Sequence, residues 1–399
     1  MLLGLVGKPS CGKSTFFKAL TMADVAIASY PFTTIKPNRG AGHARIQCVD
    51  SEFGVQCNPR EGYCIEHNRF VPAEVLDVAG LVPGAHQGKG LGNQFLDDLR
   101  QADALIHIVD ASGSANEKGE IGKPGSYDPA NDVRFLEDEI DLWYFGILKR
   151  QWEKFAKVAF LEHKKLAEAI AKQFSGLGVS APVVEMVLEE LKLDAENPLK
   201  WSDDDLKMFA TRLRRLTKPM LIAANKCDLP TAADNIKQLH QEFPHYKLMP
   251  CSAEAELALK EAAKAGLIRY IPGGTSFEIV DDSKLSQQQR KALEFIKVNV
   301  LDAYGSTGVQ QAINAAVFEL LGYVAVFPGG VSKLADQYGR VLPDCFLMPP
   351  KTTALDFAFK LHTDFGKNFI RAIDVKKKLP VGKDHTLQNR DVIEIVSGK

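Results

Sequence analysis

The chain has 399 residues, too many for one small core, so two or three domains are expected. Its formal net charge is -1 and its apolar content is ordinary. No global charge imbalance points to nucleic acid, and no apolar run reaches the roughly 18–20 residues of a membrane span. Seven cysteines, an odd number without a dense framework, fit a reducing cytosol. The first predicted strand, residues 2–6, starts so early that no signal peptide fits before it, and a cytoplasmic location is expected.

Directly after that strand comes Gly7-Lys8-Pro9-Ser10-Cys11-Gly12-Lys13-Ser14, which reads G-x-x-x-x-G-K-S and opens onto a helical run beginning at Thr15. Strand, glycine loop and helix in this order are the context a phosphate-binding loop requires. Gly7 and Gly12 permit the tight backbone path, so that successive N–H groups point inward at phosphate. Lys13 reaches the β- and γ-phosphates, and the Ser14 hydroxyl is a ligand for Mg2+.

Further along, Tyr30-Pro31-Phe32-Thr33-Thr34 offers two hydroxyls, one of which is expected on Mg2+ when a triphosphate is bound. Cys48, Cys57, Cys64 and His67 fall close together and could in principle make a Cys3His zinc site. Their spacing lacks a C-x2-C pair, which favours free thiols in an elaborated hairpin. A buried strand is predicted over 71–76, and Asp77-Val78-Ala79-Gly80 follows it as D-x-x-G. Asp77 is expected to hold Mg2+ through water, and the Gly80 N–H to sense the γ-phosphate. Gly80, Gly84, Gly88, Gly90 and Gly92 make this segment pliable, so it and the Thr34 segment are candidate switches.

Buried strands are also predicted at 104–109, 220–224 and 247–250. Alternation with helices argues for a doubly wound α/β domain, whose ligands bind at the carboxyl ends of the strands. The alternation breaks after residue 111. A Gly/Pro/Ser-rich stretch at 113–129 leads into helical patterns over 133–174, 182–193 and 202–216. These read as a helical insertion, expected as an antiparallel hairpin, that is either a structural elaboration or a partner-docking arm. Ser202 ahead of three aspartates is a good N-cap.

After 220–224 comes Asn225-Lys226-Cys227-Asp228, N-K-x-D, and after 247–250 comes Ser252-Ala253-Glu254. A carboxylate at Asp228 accepts from guanine N1–H and its exocyclic amine together, a donor pair that adenine lacks. Leaving a buried carboxylate unpaired is costly, so such a site rejects the wrong base. Asn225 would contact the base and neighbouring loops, the Lys226 stem would lie over the base, and the Ala253 N–H would donate to guanine O6. Residues 286–321 read as helical, and from 323 the pattern turns to short strands. Residues 345–399 hold ten Lys/Arg against six Asp/Glu, densest at Lys376-Lys377-Lys378, which suits either RNA phosphate or a solvated turn.

In this order the motifs resemble those of translation-factor-related GTPases of the Obg superfamily. Ser29 to Asn38 resembles the Y-P-F-T-T-I-x-P-N segment of Obg and YchF proteins. The string DVAGLVPGAHQGKGLGNQF from Asp77 resembles the YchF second switch. Ala354-Leu355-Asp356-Phe357-Ala358-Phe359-Lys360-Leu361 resembles the TGS domain, an ubiquitin-like β-grasp module, and Asp391-Val392-Ile393-Glu394-Ile395 fits its last strand. The resemblance covers nearly the whole chain. It implies a P-loop GTPase domain at 1–112 and 218–322, a coiled-coil-like helical insertion at 113–217 and a TGS domain at 323–399.

The resemblance also implies a protein that hydrolyses GTP to GDP and phosphate with Mg2+ and acts on ribosomes or ribosomal RNA, and a monomer is expected. It picks Thr34 over Thr33 as the metal ligand, beside Ser14 and Asp77, and leaves Lys13, Thr34 and Gly80 to act on the γ-phosphoryl group. Many YchF proteins have a degraded base motif and use ATP; this chain keeps Asn225, Lys226 and Asp228, so GTP is expected. Ser10 stands where Obg-type loops carry Asn, which argues against potassium activation. Leu81 stands where Ras-type enzymes place a water-orienting glutamine and cannot do that work; His86 and Gln87 are the nearby candidates. Slow intrinsic turnover, accelerated by a partner, is expected. Two other readings stay open: a nucleotide-gated binding module that hardly hydrolyses GTP, and an ATP-using regulator.

Overall fold

The computed structural model describes residues 1–22, 38–78, 80, 84, 92–162 and 166–398, apart from the side chains of residues 93, 155, 159, 161 and 162. Strands run in chain order as β1 (Leu2–Val6), β2 (Arg39–Gln47), β3 (Tyr63–Ile65), β4 (Asn68–Asp77), β5 (Ala104–Asp110), β6 (Met220–Asn225), β7 (Lys247–Pro250), β8 (Ile268–Tyr270), β9 (Phe277–Ile279), β10 (Val324–Pro328), β11 (Phe346–Met348), β12 (Phe369–Asp374), β13 (Leu379–Val381) and β14 (Val392–Ser397). The chain divides into two compact units, Met1–Phe17 with Val75–Ala253, and Lys18–Glu74 with Glu254–Lys399.

In the first unit the strand order is β4-β1-β5-β6-β7, with β4 contributing its last residues. The pairs β1–β5, β5–β6 and β6–β7 are parallel, with Leu3 opposite Ala104 and Asp110 opposite Asn225. Every residue of β1, β5 and β6 is buried. A parallel sheet covered on both faces needs such continuous apolar strands, which is why their runs are legible in the sequence. The carboxyl ends of β1, β4, β5, β6 and β7 carry the segments at Gly7, Val78, Ala111, Lys226 and Cys251.

Residues 113–217, expected as a separate insertion, lie within this unit. Five helices follow in the described residues: Ala130–Lys149, Trp152–Glu162, Leu166–Gln173, Ala181–Leu191 and Asp203–Thr217. They form a cluster rather than the expected two-helix arm. The pattern at 133–174 breaks near Arg150, and Gly178 ends the following turn in the left-handed region at φ 72°. Apolar residues surround several helix faces and join one core with the sheet, where Val133, Leu136, Tyr144, Phe174 and Phe209 pack with Leu2, Val6 and Leu105. Trp152 packs on Trp201 with ring centroids 4.9 Å apart and planes tilted by 31°. Ser202 caps the last helix in a full capping box with Asp205, as the sequence predicts.

In the second unit β3 and β4 form an antiparallel hairpin, with Cys64 opposite Arg69. The C-terminal sheet has the order β11-β10-β14-β12-β13. Its central pair β10–β14 is parallel and the others are antiparallel. Helix Ala354–Leu361, opened by a Thr353–Asp356 capping box, buries Phe357 among Val326, Ala372 and Ile393. A mixed sheet curled on one helix is the expected β-grasp. Among the described residues no helix is long and apolar enough to cross a membrane.

Candidate nucleotide-binding site

β1 ends at Val6 and the next helix, Lys13–Thr21, begins at Lys13, so Gly7 to Gly12 form the turn between them. Both glycines are sterically required. A Cβ on Gly7 would lie 2.6 Å from Ile108 O, and one on Gly12, at φ 92°, would lie 2.3 Å from Asn225 Nδ2. Cys11 is buried, and burial pushes its thiol up to about 11, so it stays a neutral packing group. Ser14 is exposed at the start of the helix, and Thr15 is half-buried beside it.

Lys8 has a task the motif does not reveal. Its side chain is buried, with Nζ donating to Ala115 O at 2.7 Å, pairing with Asp132 at 2.8 Å and lying 3.8 Å from the Tyr127 ring centre. Ser10 Oγ donates to Gly119 O at 2.7 Å, and a Cβ on Gly119 would collide with Pro9 at 2.6 Å. The 113–129 stretch, which the sequence shows only as Gly/Pro-rich, therefore braces the phosphate loop at Lys8, Pro9 and Ser10. With Lys8 and Ser10 so engaged, neither of these two side chains is left to address a phosphate.

Lys13 Nζ forms an ion pair with Asp77 at the end of β4. Gly80 has open space around the position of a Cβ. The Gly84 N–H donates at 2.8 Å to Glu139 Oε1 of helix Ala130–Lys149. Thr33, Thr34, Leu81, His86, Gln87, Gly88 and Gly90 lie outside the described residues.

Asn225 joins three loops. Its Nδ2 donates to Cys11 O at 2.9 Å, and its Oδ1 accepts the Ala253 N–H at 3.0 Å. That N–H, assigned to guanine O6 by the sequence reading, is here taken by Asn225. Cys227 N donates to Cys251 O at 3.0 Å, binding the N-K-x-D loop to the segment that carries Ser252-Ala253-Glu254. Lys226 sits at φ 62°, and its Nζ donates to Asp110 Oδ2 at 2.9 Å. Asp110 also accepts from Ser112 Oγ at 2.6 Å and Ser114 Oγ at 2.8 Å. Burial alone would raise the Asp110 carboxyl, but the bonds from Ser112, Lys226 and Ser114 outweigh it and hold the group below the usual carboxylate range. Asp228 is half-buried, Ser252 is buried, and Glu254 is exposed in the first turn of helix Ala253–Lys264.

Sequence reasoning missed Asp110, Ser112, Ser114, Asp132 and Glu139. An aspartate ending a buried strand and followed by S-x-S is a signal that could have found the first three. The oxygen donors of Ser14 and Asp77 suit Mg2+, a hard cation that keeps several waters. The Lys13–Asp77 pair holds that carboxylate beside the lysine that the sequence assigns to phosphate.

Three families match consecutive parts of the chain. Residues 2–130 match the 50S ribosome-binding GTPase family, residues 223–330 the Obg-like GTPase YGR210-like, G4 motif-containing domain, and residues 338–397 the TGS domain. An uncharacterized GTP-binding protein of Methanocaldococcus jannaschii is 49% identical over 99% of both chains. The crystal structure of a GTP binding protein from Pyrococcus horikoshii OT3 is 42% identical and covers 100% of both chains, with a TM-score of 0.77. The ribosome-binding ATPase YchF of Escherichia coli O157:H7 is 28% identical over 98% of both chains. With these three matches in that order and an archaeal relative alike along nearly all its length, the chain belongs to the YchF/Obg-like family of P-loop GTPases with a C-terminal TGS domain.

Proposed function

We propose that this protein binds GTP with Mg2+, hydrolyses it slowly to GDP and phosphate as a monomer, and uses the nucleotide state to control its action on ribosomes. The observation that carries the nucleotide reading is Asn225, which ties the phosphate loop at Cys11 to the base-reading loop at Ala253. Phosphates would draw Lys13 away from Asp77, since each of the two charges then has a better partner. Mg2+, held by Ser14 and Asp77 with Thr34, would supply charge stabilisation on the phosphates. The N–H groups from Gly7 to Ser14 would cradle the phosphates. Asp228 would accept from the guanine edge, and Lys226, anchored at Asp110, would wall the base with its stem. The Gly84–Glu139 bond offers a path from the γ-phosphate loop into the helical cluster. Ribosome action is supported by the match of residues 2–130 to the 50S ribosome-binding GTPase family and by the likeness to the ribosome-binding ATPase YchF of E. coli.

The test is calorimetric titration with GTP, GDP and ATP in Mg2+. GTP should bind at least about ten-fold more tightly than ATP, and Asp228→Ala should abolish the difference, about 1.4 kcal/mol or more. Equal binding of ATP and GTP by the unaltered chain would favour an ATP-using protein, as the E. coli relative is named.

A further inference from the structure

A second cluster of chemistry-bearing side chains lies in the second unit, at residues 48–67. Cys48 directly follows β2, Asp50 sits in the short helical turn Val49–Phe53, Cys57 in the loop after it, and Cys64 on β3. Their Sγ atoms and one Asp50 oxygen all lie within 4.8 Å of one another. Cys48, Asp50 and Cys57 are buried and Cys64 is half-buried. We propose that these four residues form a structural zinc site, with three thiolates and one carboxylate as ligands.

The geometry is specific. A tetrahedron with Zn–S bonds of about 2.3 Å has S···S edges of about 3.8 Å. Cys48 Sγ and Cys57 Sγ are 3.7 Å apart. A disulfide would need about 2.05 Å. Asp50 is aimed by its neighbours: Oδ2 accepts the Cys57 N–H at 3.0 Å, and Oδ1 meets His67 Nδ1 at 2.9 Å. Ligating carboxylates in metal sites are themselves held by hydrogen bonds from an outer shell. His67 therefore supports the set, and Asp50 replaces it as the fourth ligand. That corrects the Cys3His combination weighed from sequence, in which Asp50 had no part.

The backbone is bent to suit. β3 and β4 meet at a tight turn in which Glu66 and His67 have φ 47° and 59°. Neither is the Gly or Asn that relieves this strain. The turn returns the His67 carbonyl to the Cys48 N–H at 2.7 Å and brings His67 over Asp50. Three thiolates and a carboxylate around Zn2+ leave two net negative charges. The buried Arg69, opposite Cys64 in the hairpin, supplies a cation on the same face.

The site has a structural consequence inside this unit. Cys48 and Cys57 belong to one apolar cluster with Phe327, Leu342 and Val392 of the C-terminal segment. The metal would tie the end of β2, the loop after it and β3 to one another, and so hold in place the surface on which these C-terminal residues pack.

The first experiment is elemental analysis of the full chain purified without chelator, which should find about one zinc per chain. Chelator-stripped protein titrated with Co2+ should develop thiolate charge-transfer and tetrahedral d–d absorption. Cys57→Ser, Cys64→Ser and Asp50→Asn should lower bound metal at least ten-fold, whereas Cys345→Ser should keep it. Should those variants fail to fold, the Co2+ spectrum of the unaltered chain still decides. Absence of zinc with no Co2+ thiolate band would overturn the site, as would a Cys48–Cys57 disulfide or stoichiometric iron in its place. These readouts do not involve nucleotide, so they stand or fall apart from the proposed GTPase function.

Discussion

At Asn225 one amide satisfies Cys11 O and the Ala253 N–H together, so truncation leaves two backbone groups to find new partners. Asn225→Ala should cost about 1–3 kcal/mol of stability and weaken GTP binding by about ten-fold or more, measured by thermal melting and titration. Unchanged GTP affinity would mean that the loops are ordered without this side chain. His107, at the middle of β5, is fully buried, and burial, helped by Lys8, pushes its pKa down to about 3. The unfolded chain takes up a proton near its ordinary 6.5 that the folded chain refuses until about 3. Stability should therefore fall as pH drops from about 6.5 toward 3. His107→Leu should remove this share of the loss, about 1.4 kcal/mol at about pH 5.5 relative to about pH 7.5. Denaturant melts at the two pH values test it, and equal pH slopes in both proteins would show that His107 does not titrate this way. The G-x-x-x-x-G-K-S and N-K-x-D strings stand out in the sequence because each is local and ordered along the chain, and they point to the family that matches. The buried tasks of Lys8, Asp110 and Asp132 were not, because each depends on partners far off in sequence.

Among the elements, helix Asp203–Thr217 and helix Ala130–Lys149 show what can and cannot be read in advance. Ser202 followed by aspartates is a local signal, and the capping box is there. Ser202→Ala should cost about 1 kcal/mol in a denaturant melt; no change would mean that water replaces the cap. The break of the 133–174 pattern into separate helices was not legible. Apolar residues there serve several faces, and the choice of face is made by tertiary packing around Trp143, Trp152 and Trp201. Glu139 fits that account. It looks like one more solvated charge in the sequence, yet it is buried and accepts the Gly84 N–H. Glu139→Ala should leave GTP affinity within about three-fold while removing nucleotide-dependent amide protection in helix Ala130–Lys149. Hydrogen exchange with and without nucleotide reads this directly, and protection that survives the substitution would break the proposed path.

For the whole molecule, chain order hides the division into units. Residues 18–74 fall in the second unit with the C-terminal sheet, although the sequence reading gave them to the nucleotide domain. Within that unit Arg390 Nε donates to Gln47 O at 2.9 Å, and Lys376 pairs with Glu52 at 2.8 Å. Lys377 pairs with Asp374 at 2.9 Å. Part of the basic excess near 376–378 is therefore spent on ion pairs inside the fold, which weakens the case for an RNA surface there. The functional account rests instead on nucleotide control. Its central claim is tested most directly by steady-state turnover of GTP and ATP, with and without ribosomes from the protein's own source. The account predicts slow turnover alone, preference for GTP and clear stimulation by ribosomes. Turnover that ignores ribosomes, or that uses ATP as readily as GTP, would contradict it.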